Sequence, residues 1–381
     1  MNELEQLRQK IDELDRQLLP LFTERMEVCG KVADYKRKVG KAVLDAEREK
    51  QVLESKLSLP GAAEMKEEVY EFFNAIMTIS RVRQSRMLGD AGKRRHCGDV
   101  LGMTKPVIEN PKIVYFGSEG AYSEEAAIGF FGEESDRFYA KAFEDAFEAL
   151  WDGRADYAVL PIENSSTGMI AGVADLLVKY EYYIVGEIYI PIRHCLMGVK
   201  GAQLSDIKTV YSHEQALLQC SEFLKNMGDV QSEAYYSTAL SAKAVAEDDD
   251  KTKAAIASLR TAKLYGLDVL AEEINTSGKN TTRFAVISRC PEIRDGADKI
   301  SAAFTLKHEC GTLYRILSSF ARGGLNLLKL ESRPIPDSPF EYRFFVDYTG
   351  NLNDETVRSV TDTAIEETEN FVILGNYHAG K

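Results

Sequence analysis

The sequence predicts a multidomain chain with three parts. They are an all-α three-helix segment over residues 1–90, an α/β segment of two lobes over 112–290, and an α+β segment of ferredoxin-like order over 299–378. Three observations predict this. Leu4, Leu7, Ile11, Leu14, Leu18 and Leu21 recur at spacings of 3-4-3-4-3, the stripe of a long amphipathic helix. From 112 to 290, short apolar runs alternate with helical segments, the pattern of a mostly parallel sheet covered by helices. From 299 onward the pattern reads strand, helix, strand, strand, helix, strand. A chain of 381 residues is also too long for one ordinary domain.

Composition narrows the function classes. With 44% hydrophobic and 28% charged residues the chain has the make-up of a soluble globular protein. A formal charge of −13 argues against a nucleic-acid-binding face. An acidic chain that binds anionic ligands must concentrate its cations locally, so clustered Lys and Arg carry information. The N-terminus is charged from Glu3 and lacks the apolar core of a signal peptide, and no run of about 20 apolar residues marks a membrane span. Six scattered cysteines without a C-x-x-C pattern point to reduced thiols and a cytoplasmic setting, with no metal site and no cofactor expected.

In the first segment the helix is predicted to run to about Lys38, with a kink at Pro20, where one backbone hydrogen bond is lost. A second helix is predicted over 44–57 and a third over 62–87, separated by Pro60-Gly61. Helices with so long a first member cannot bury their stripes within one chain, so an intertwined homodimer is expected. Arg25 and Lys36, 11 residues apart, share a helix face. Asp45 and Glu49 flank Arg48, and Ser80 and Gln84 are i,i+4. Arg8 lies 17 residues before Arg25, about 25 Å along a helix, too far to join the same pocket within one chain.

This segment resembles the all-helical chorismate mutases over its full length. The match is carried by Leu7 to Leu19, Glu24-Arg25, Lys36, Asp45-Ala46-Glu47-Arg48-Glu49, Ser80 and Gln84. The resemblance implies a dimer with two composite sites, each completed by Arg8 of the other chain. It implies chorismate as substrate, gripped by Arg8, Arg25 and Arg48, with Asp45, Glu49 and Ser80 on ring hydroxyl and carboxylate groups. Lys36 and Gln84 would be catalytic, donating to the ether oxygen as its bond breaks. The rearrangement to prephenate is pericyclic and needs no base, nucleophile or metal, only a held conformer.

Residues 91–111 read as a Gly-, Pro- and charge-rich linker. In the segment that follows, strands are expected at 113–116, 157–160, 183–188, 209–211, 254–257 and 284–287, and helices at 123–131, 143–151, 214–226 and 238–246. Polar loops stand at strand ends at 117–123, 161–168 and 211–215. Another, 276–279, is read as a loop that enters a sheet through Asn280-Thr281-Thr282-Arg283-Phe284. There the planar Arg283 fork can grip a carboxylate and Thr282 can donate a hydrogen bond.

The runs GSEGAYSEEAA, DYAVLPIENSSTG, HCLMG, YSHEQALLQC and TTRF resemble prephenate dehydratase in order and spacing. The resemblance implies a fold like a periplasmic binding protein with the site in the cleft, and loss of carbon dioxide and water from prephenate to give phenylpyruvate. Thr282 would be the key catalytic group, Arg283 would hold a substrate carboxylate, and Ser123, Glu163, Asn164, Ser165, Thr167, Ser212, Gln215 and Phe284 would line the cleft. His194 and His213 are read as structural histidines before they are read as acids.

In the last segment, Gly311, Thr312 and Leu313 open a helix, and Glu331, Ser332, Arg333 and Pro334 close a strand. Both stretches resemble the phenylalanine-binding motifs of the ACT domains attached to prephenate dehydratases. Together the resemblances imply the bifunctional chorismate mutase/prephenate dehydratases, under feedback control by L-phenylalanine. Two rivals remain open from sequence: arogenate as the substrate of the same cleft, and a non-catalytic amino-acid sensor.

Overall fold

The computed structural model describes residues 2–39, 46–88, 95–335, 338 and 340–380. Asp45 lies outside them. Contacts divide the chain into two units, residues 1–94 with 365–367, and residues 95–364 with 368–381.

The first unit holds α1 (Glu3–Val39), α2 (Ala46–Leu57) and α3 (Lys66–Leu88), with α1 and α2 both packed on α3. Pro20 sits inside α1 without ending it. Met26, Ala33, Ile76 and Met77 are buried between the helices. The N-terminal stripe is not: Leu4, Leu7, Ile11, Leu14, Leu18 and Leu21 are 48% to 63% exposed, so none of the described residues covers it.

The second unit opens with α4 (Cys97–Met103). Residues 91–111 were expected as a tether, and their described part, from Arg95, is docked instead. Cys97 and Val100 are buried, the Cys97 N–H donates to Asp362 Oδ1 (3.0 Å), and the Lys105 N–H donates to the Pro291 carbonyl (2.9 Å). Two buried side chains are too short a pattern to read as a helix from sequence.

A first lobe follows: β1 (Lys112–Phe116), α5 (Tyr122–Phe131), β2 (Asp136–Ala140), α6 (Phe143–Trp151), β3 (Tyr157–Asn164), β4 (Gly168–Met169), α7 (Ala171–Tyr180) and β5 (Tyr183–Pro191). The chain then builds a second lobe from β6 (Cys195–Gly198), β7 (Thr209–Ser212), α8 (Glu214–Gln219), α9 (Ser221–Asn226), β8 (Gln231–Ala234), α10 (Thr238–Asp248), β9 (Lys253–Ala257), α11 (Leu259–Tyr265) and β10 (Asp268–Ala271). It returns to the first lobe as β11 (Thr281–Ser288), which inserts between β3 and β5.

The sheets are mixed rather than mostly parallel. In the first lobe β1 is parallel to β2 and β3, while β11 is antiparallel to both β3 and β5. In the second, β9 and β8 are parallel to β7, while β6 is antiparallel to β9 and β10. Apolar runs announce burial but not direction. Strands that border the two crossings between lobes can run against their neighbours.

Two strand boundaries matter for function. β11 starts at Thr281, three residues before the expected start at Phe284, so Thr282 and Arg283 are strand residues, not loop residues. β3 continues through Glu163 and Asn164. Its pairing with β11 slips at Pro161 and Ile162, placing Asn164 opposite Thr282 and Glu163 opposite Arg283. A proline cannot donate to the ladder and settles at such a bulge.

The chain ends in β12 (Lys299–Thr305), α12 (Thr312–Arg322), β13 (Leu327–Pro334), β14 (Tyr342–Thr349), α13 (Glu355–Glu367) and β15 (Val372–Tyr377). The strands form an antiparallel sheet of order β13-β14-β12-β15. Ala303, Phe345, Leu374 and Tyr377 share one apolar core with Leu160, Leu177, Ile184 and Ala285 of the first lobe. At Gly375 the approach is so close that a Cβ would stand 2.0 Å from the Ile184 carbonyl oxygen.

Candidate functional site

Alternation along a strand sends neighbouring side chains to opposite faces. On β3 and β11 this separates two kinds of chemistry.

One face carries a neutral hydrogen-bond cluster. Asn164 Nδ2 donates both to Thr282 Oγ1 (2.9 Å) and to Asn280 Oδ1 (2.8 Å). Asn164 Oδ1 in turn accepts from the Ser166 N–H (2.9 Å), and Ser166 Oγ donates to Asn280 Oδ1 (3.2 Å). Ser165 ties the turn after β3 to the start of β11: its N–H donates to the Thr281 carbonyl, and its hydroxyl accepts from the Thr281 N–H and donates to the Lys279 carbonyl. Asn164, Asn280 and Thr282 are each less than a tenth exposed. Within this cluster two donors remain unspent among the described residues. Thr282 accepts a bond but its own proton goes to no acceptor, and Asn280 Nδ2 is buried without a partner. Asn280 was not among the expected site residues. The signal was an amide adjoining the Thr-Thr-Arg-Phe run, which sequence alone gave no reason to aim inward.

The other face carries charge. Arg283 is 5% exposed, and all three of its guanidinium nitrogens are engaged. Nε donates to Glu187 (2.6 Å), Nη1 to Asp347 (2.7 Å) and Glu163 (3.1 Å), and Nη2 to the Tyr377 hydroxyl (2.9 Å). Lys299 Nζ lies 3.0 Å from both Glu187 oxygens, and Lys329 Nζ lies 3.0 Å from Glu163. Burial alone would lower the Arg283 pKa, but Tyr377, Asp347 and Glu187 raise it well above its ordinary value. Burial likewise pushes the Asp347 carboxyl up, and Arg283 and Lys299 more than reverse this, leaving it below its usual range. The expected role of Arg283 as a carboxylate grip is therefore corrected: four of its five N–H groups go to protein acceptors, and the side chain points away from Thr282. The same holds for Glu163, expected in the cleft and found beside Arg283.

The other residues expected to line the cleft do not join the cluster by hydrogen bonds. Ser123 is buried in the first turn of α5 and Phe284 is buried on β11. Thr167 is exposed in the turn before β4, and Gln215 is exposed at the start of α8. Ser212 donates to the Ile256 carbonyl (2.6 Å) between β7 and β9. His213 caps α8 through the Gln215 N–H. His194 is 2% exposed, sits between Tyr122 (3.3 Å) and Gln219 (3.0 Å), and is held below its ordinary pKa by burial. Neither histidine hydrogen-bonds to the Asn164–Asn280–Thr282 cluster.

In the helical unit, Arg25 Nη1 donates to Ser80 Oγ (2.6 Å), and Ser80 donates to the Ile76 carbonyl (2.7 Å). Gln84, one turn on, is 8% exposed, and its amide oxygen is buried without a partner among the described residues. So α1 and α3 bring Arg25, Ser80 and Gln84 to one place. Lys36 and Glu49 are half-buried, and Arg48 and Arg8 are exposed.

In the C-terminal sheet, Gly311 adopts φ 78° as the cap of α12, a conformation that favours glycine, and Thr312 donates to the Lys307 and Glu309 carbonyls. Leu313 is half-buried, and Ser332 and Pro334 are exposed. Glu331 pairs with Lys329 (3.2 Å), and Arg333 Nη1 reaches Asp175 on α7 (3.0 Å).

Comparison with known proteins agrees with this division. A family model described as chorismate mutase type II matches residues 7–85, and one described as prephenate dehydratase matches residues 113–292. The chain is 32% identical over 381 residues to a protein of Aquifex aeolicus named bifunctional chorismate mutase/prephenate dehydratase, covering 99% of this chain and 98% of that one. It is 37% identical over 278 residues to the chloroplastic arogenate dehydratase/prephenate dehydratase 2 of Arabidopsis thaliana, covering 70% of this chain and 72% of that one. Among solved structures it resembles the prephenate dehydratase of Arthrobacter aurescens in complex with L-Phe. That likeness has 32% identity and a TM-score of 0.65, and covers 70% of this chain and 90% of that one. Similarity along nearly the whole length, through both segments, shows that this chain belongs to the bifunctional chorismate mutase/prephenate dehydratase family.

Proposed function

We propose that the chain converts chorismate to prephenate in its helical unit and prephenate to phenylpyruvate, carbon dioxide and water in its cleft. The observation that carries the second step is the pair of unspent donors, the Thr282 hydroxyl and Asn280 Nδ2, both anchored on the Asn164 amide. As the carbon–carbon bond to the departing carboxylate breaks, its electron pair enters the ring and the ring hydroxyl leaves with the bonding pair. A proton must reach that oxygen to make water. Thr282 donates a hydrogen bond to it in a dry site, where such donors count for most. Asn280 is a second donor for the charge that develops.

In the helical unit, Arg25 and Arg48 hold substrate carboxylates, and Lys36 and Gln84 donate to the ether oxygen. The Gln84 amide oxygen, buried and without a partner among the described residues, supports a site that a ligand completes. The exposed leucine stripe of α1 supports an intertwined homodimer in which Arg8 serves the other chain's site.

The βαββαβ order with strands β13-β14-β12-β15 is the ferredoxin-like plan, and we read it as an ACT-type regulatory domain. L-phenylalanine bound at Gly311, Thr312, Leu313 and Glu331–Pro334 inhibits the dehydratase. A relative named for arogenate favours a second reading of the cleft, in which arogenate is also dehydrated.

The test gives the purified chain chorismate and follows prephenate and phenylpyruvate, with and without phenylalanine. Phenylpyruvate that forms and is suppressed by phenylalanine supports the whole reading. Prephenate that accumulates unconverted refutes the cleft assignment, and a parallel run with arogenate then separates the two substrates.

A further inference from the structure

The cleft donors and the ionic cluster lie back to back on one strand pair. The register couples them: Asn164 faces Thr282, and one residue along Glu163 faces Arg283. The Arg283 partners come from both sheets, Glu163 and Glu187 from β3 and β5, Asp347 and Tyr377 from β14 and β15. Lys299 of β12 and Lys329 of β13 complete the set, so every strand of the C-terminal sheet places a charged or hydroxyl group in the cluster. Arg333 adds an outlying tie to Asp175. Arg283, Glu187, Lys299 and Asp347 are each 4% to 6% exposed. Mere adhesion would not call for such a cluster, because apolar side chains of similar volume hold two surfaces together as well or better. What fixed ion pairs add is a definite placement of the strands that carry them.

We infer that Arg283 and Glu163 are positioning residues for Thr282 and Asn164, and that the seating of the C-terminal sheet on the first lobe sets the cleft geometry through them. The inference deepens the dehydratase reading and rests on it. A shift of the C-terminal sheet pulls on Arg283, and Arg283 shares its backbone with Thr282. A displacement of about 1 Å at a reacting group is enough to cost on the order of 10²-fold in rate. This also gives a route from an effector on the C-terminal domain to the cleft without contact between ligand and catalytic residue.

The experiment uses the full chain; mutase turnover reports the helical unit, and the thermal midpoint and near-UV circular dichroism report folding of the unit that carries the substitutions, with rates compared only among variants that keep it. Wild type, Asp347→Asn, Arg283→Lys and Arg283→Gln are compared for kcat and KM on prephenate. Positioning predicts that Asp347→Asn and Arg283→Gln lower dehydratase kcat about 10- to 100-fold with KM within about twofold, mutase turnover unchanged, and partial recovery in Arg283→Lys. If Asp347→Asn does not keep that unit folded, Lys329→Met at the more open edge of the cluster carries the test with the same expected split. A large rise in KM for the Arg283 variants with Asp347→Asn silent would make Arg283 a substrate ligand and overturn the inference, as would normal kcat in all of them.

A calorimetric arm asks whether Asp347→Asn still binds phenylalanine while its dehydratase rate no longer responds, as positioning predicts; an undiminished response counts against it. Wild type that turns over prephenate but does not bind phenylalanine removes the regulatory reading and leaves the rate comparison decisive. Wild type without dehydratase turnover refutes the cleft reading itself.

Discussion

The two faces of the β3–β11 pair differ in how their hydrogen-bonding capacity is used. On the face with Asn164 and Thr282, donors are neutral, buried and partly unspent. On the face with Glu163 and Arg283, every guanidinium nitrogen is matched. A buried network whose donors are nearly all matched holds structure, whereas an unsatisfied buried donor costs stability unless a ligand repays it. Under the proposed function, the difference assigns chemistry to Thr282 and positioning to the adjacent Arg283.

That contrast can be broken from the cleft side first. Asn164→Asp replaces the donor facing Thr282 by a carboxylate that captures the Thr282 proton and faces the Asn280 carbonyl oxygen. Dehydratase kcat is expected to fall by about 10²- to 10³-fold, the loss typical of one preorganised donor, with mutase turnover unchanged. Steady-state rates on the two substrates check it.

Next in size is Gly375→Ala, which tests the seating of the C-terminal sheet. The added Cβ meets the Ile184 backbone, which has no flexible end to yield. Overpacking of this kind costs about 1–3 kcal/mol, seen as a lower Tm. Under the positioning account, Phe response and dehydratase rate shift with it.

Asn280→Ala sharpens the comparison more gently. It removes one unspent donor and leaves Thr282 anchored on Asn164, so a loss of about tenfold in dehydratase kcat is expected, the worth of one hydrogen bond.

The smallest effect is on acid stability. The Asp347 pKa is lowered on folding by Arg283 and Lys299 against the push of burial. The unfolded chain therefore binds its proton first as pH falls, and the stabilisation is present above the ordinary carboxylate value and lost as pH drops through the lower folded one. Urea midpoints of wild type and Asp347→Asn should converge as pH falls below the ordinary carboxylate range.

Much of this was legible in the sequence. Helix stripes, the order of elements and the Thr282 region follow from local periodicity and turn residues. What was not legible is pairwise and distant. Arg283 meets Glu187 96 residues away, Asp347 64 away and Tyr377 94 away, and each of those lies in a strand that reads as core. Starting the strand at Phe284 hid the alternation that sends Thr282 and Arg283 to opposite faces, and with it the ionic partners that meet Arg283. Lys329, Glu331 and Arg333 alternate with Leu328, Leu330 and Ser332 along β13, a pattern visible in sequence. Which face meets the first lobe became definite only with the Glu163 and Asp175 contacts.

The most direct test of the central claim is the fate of chorismate in the Thr282→Ala chain. Removing the hydroxyl that accepts from Asn164 leaves the ionic face and the helical unit intact. Prephenate should appear at the wild-type rate and accumulate, with phenylpyruvate production lowered by about 10²-fold or more. Phenylpyruvate formed at the wild-type rate would contradict the account and place the chemistry of the second step elsewhere in the chain.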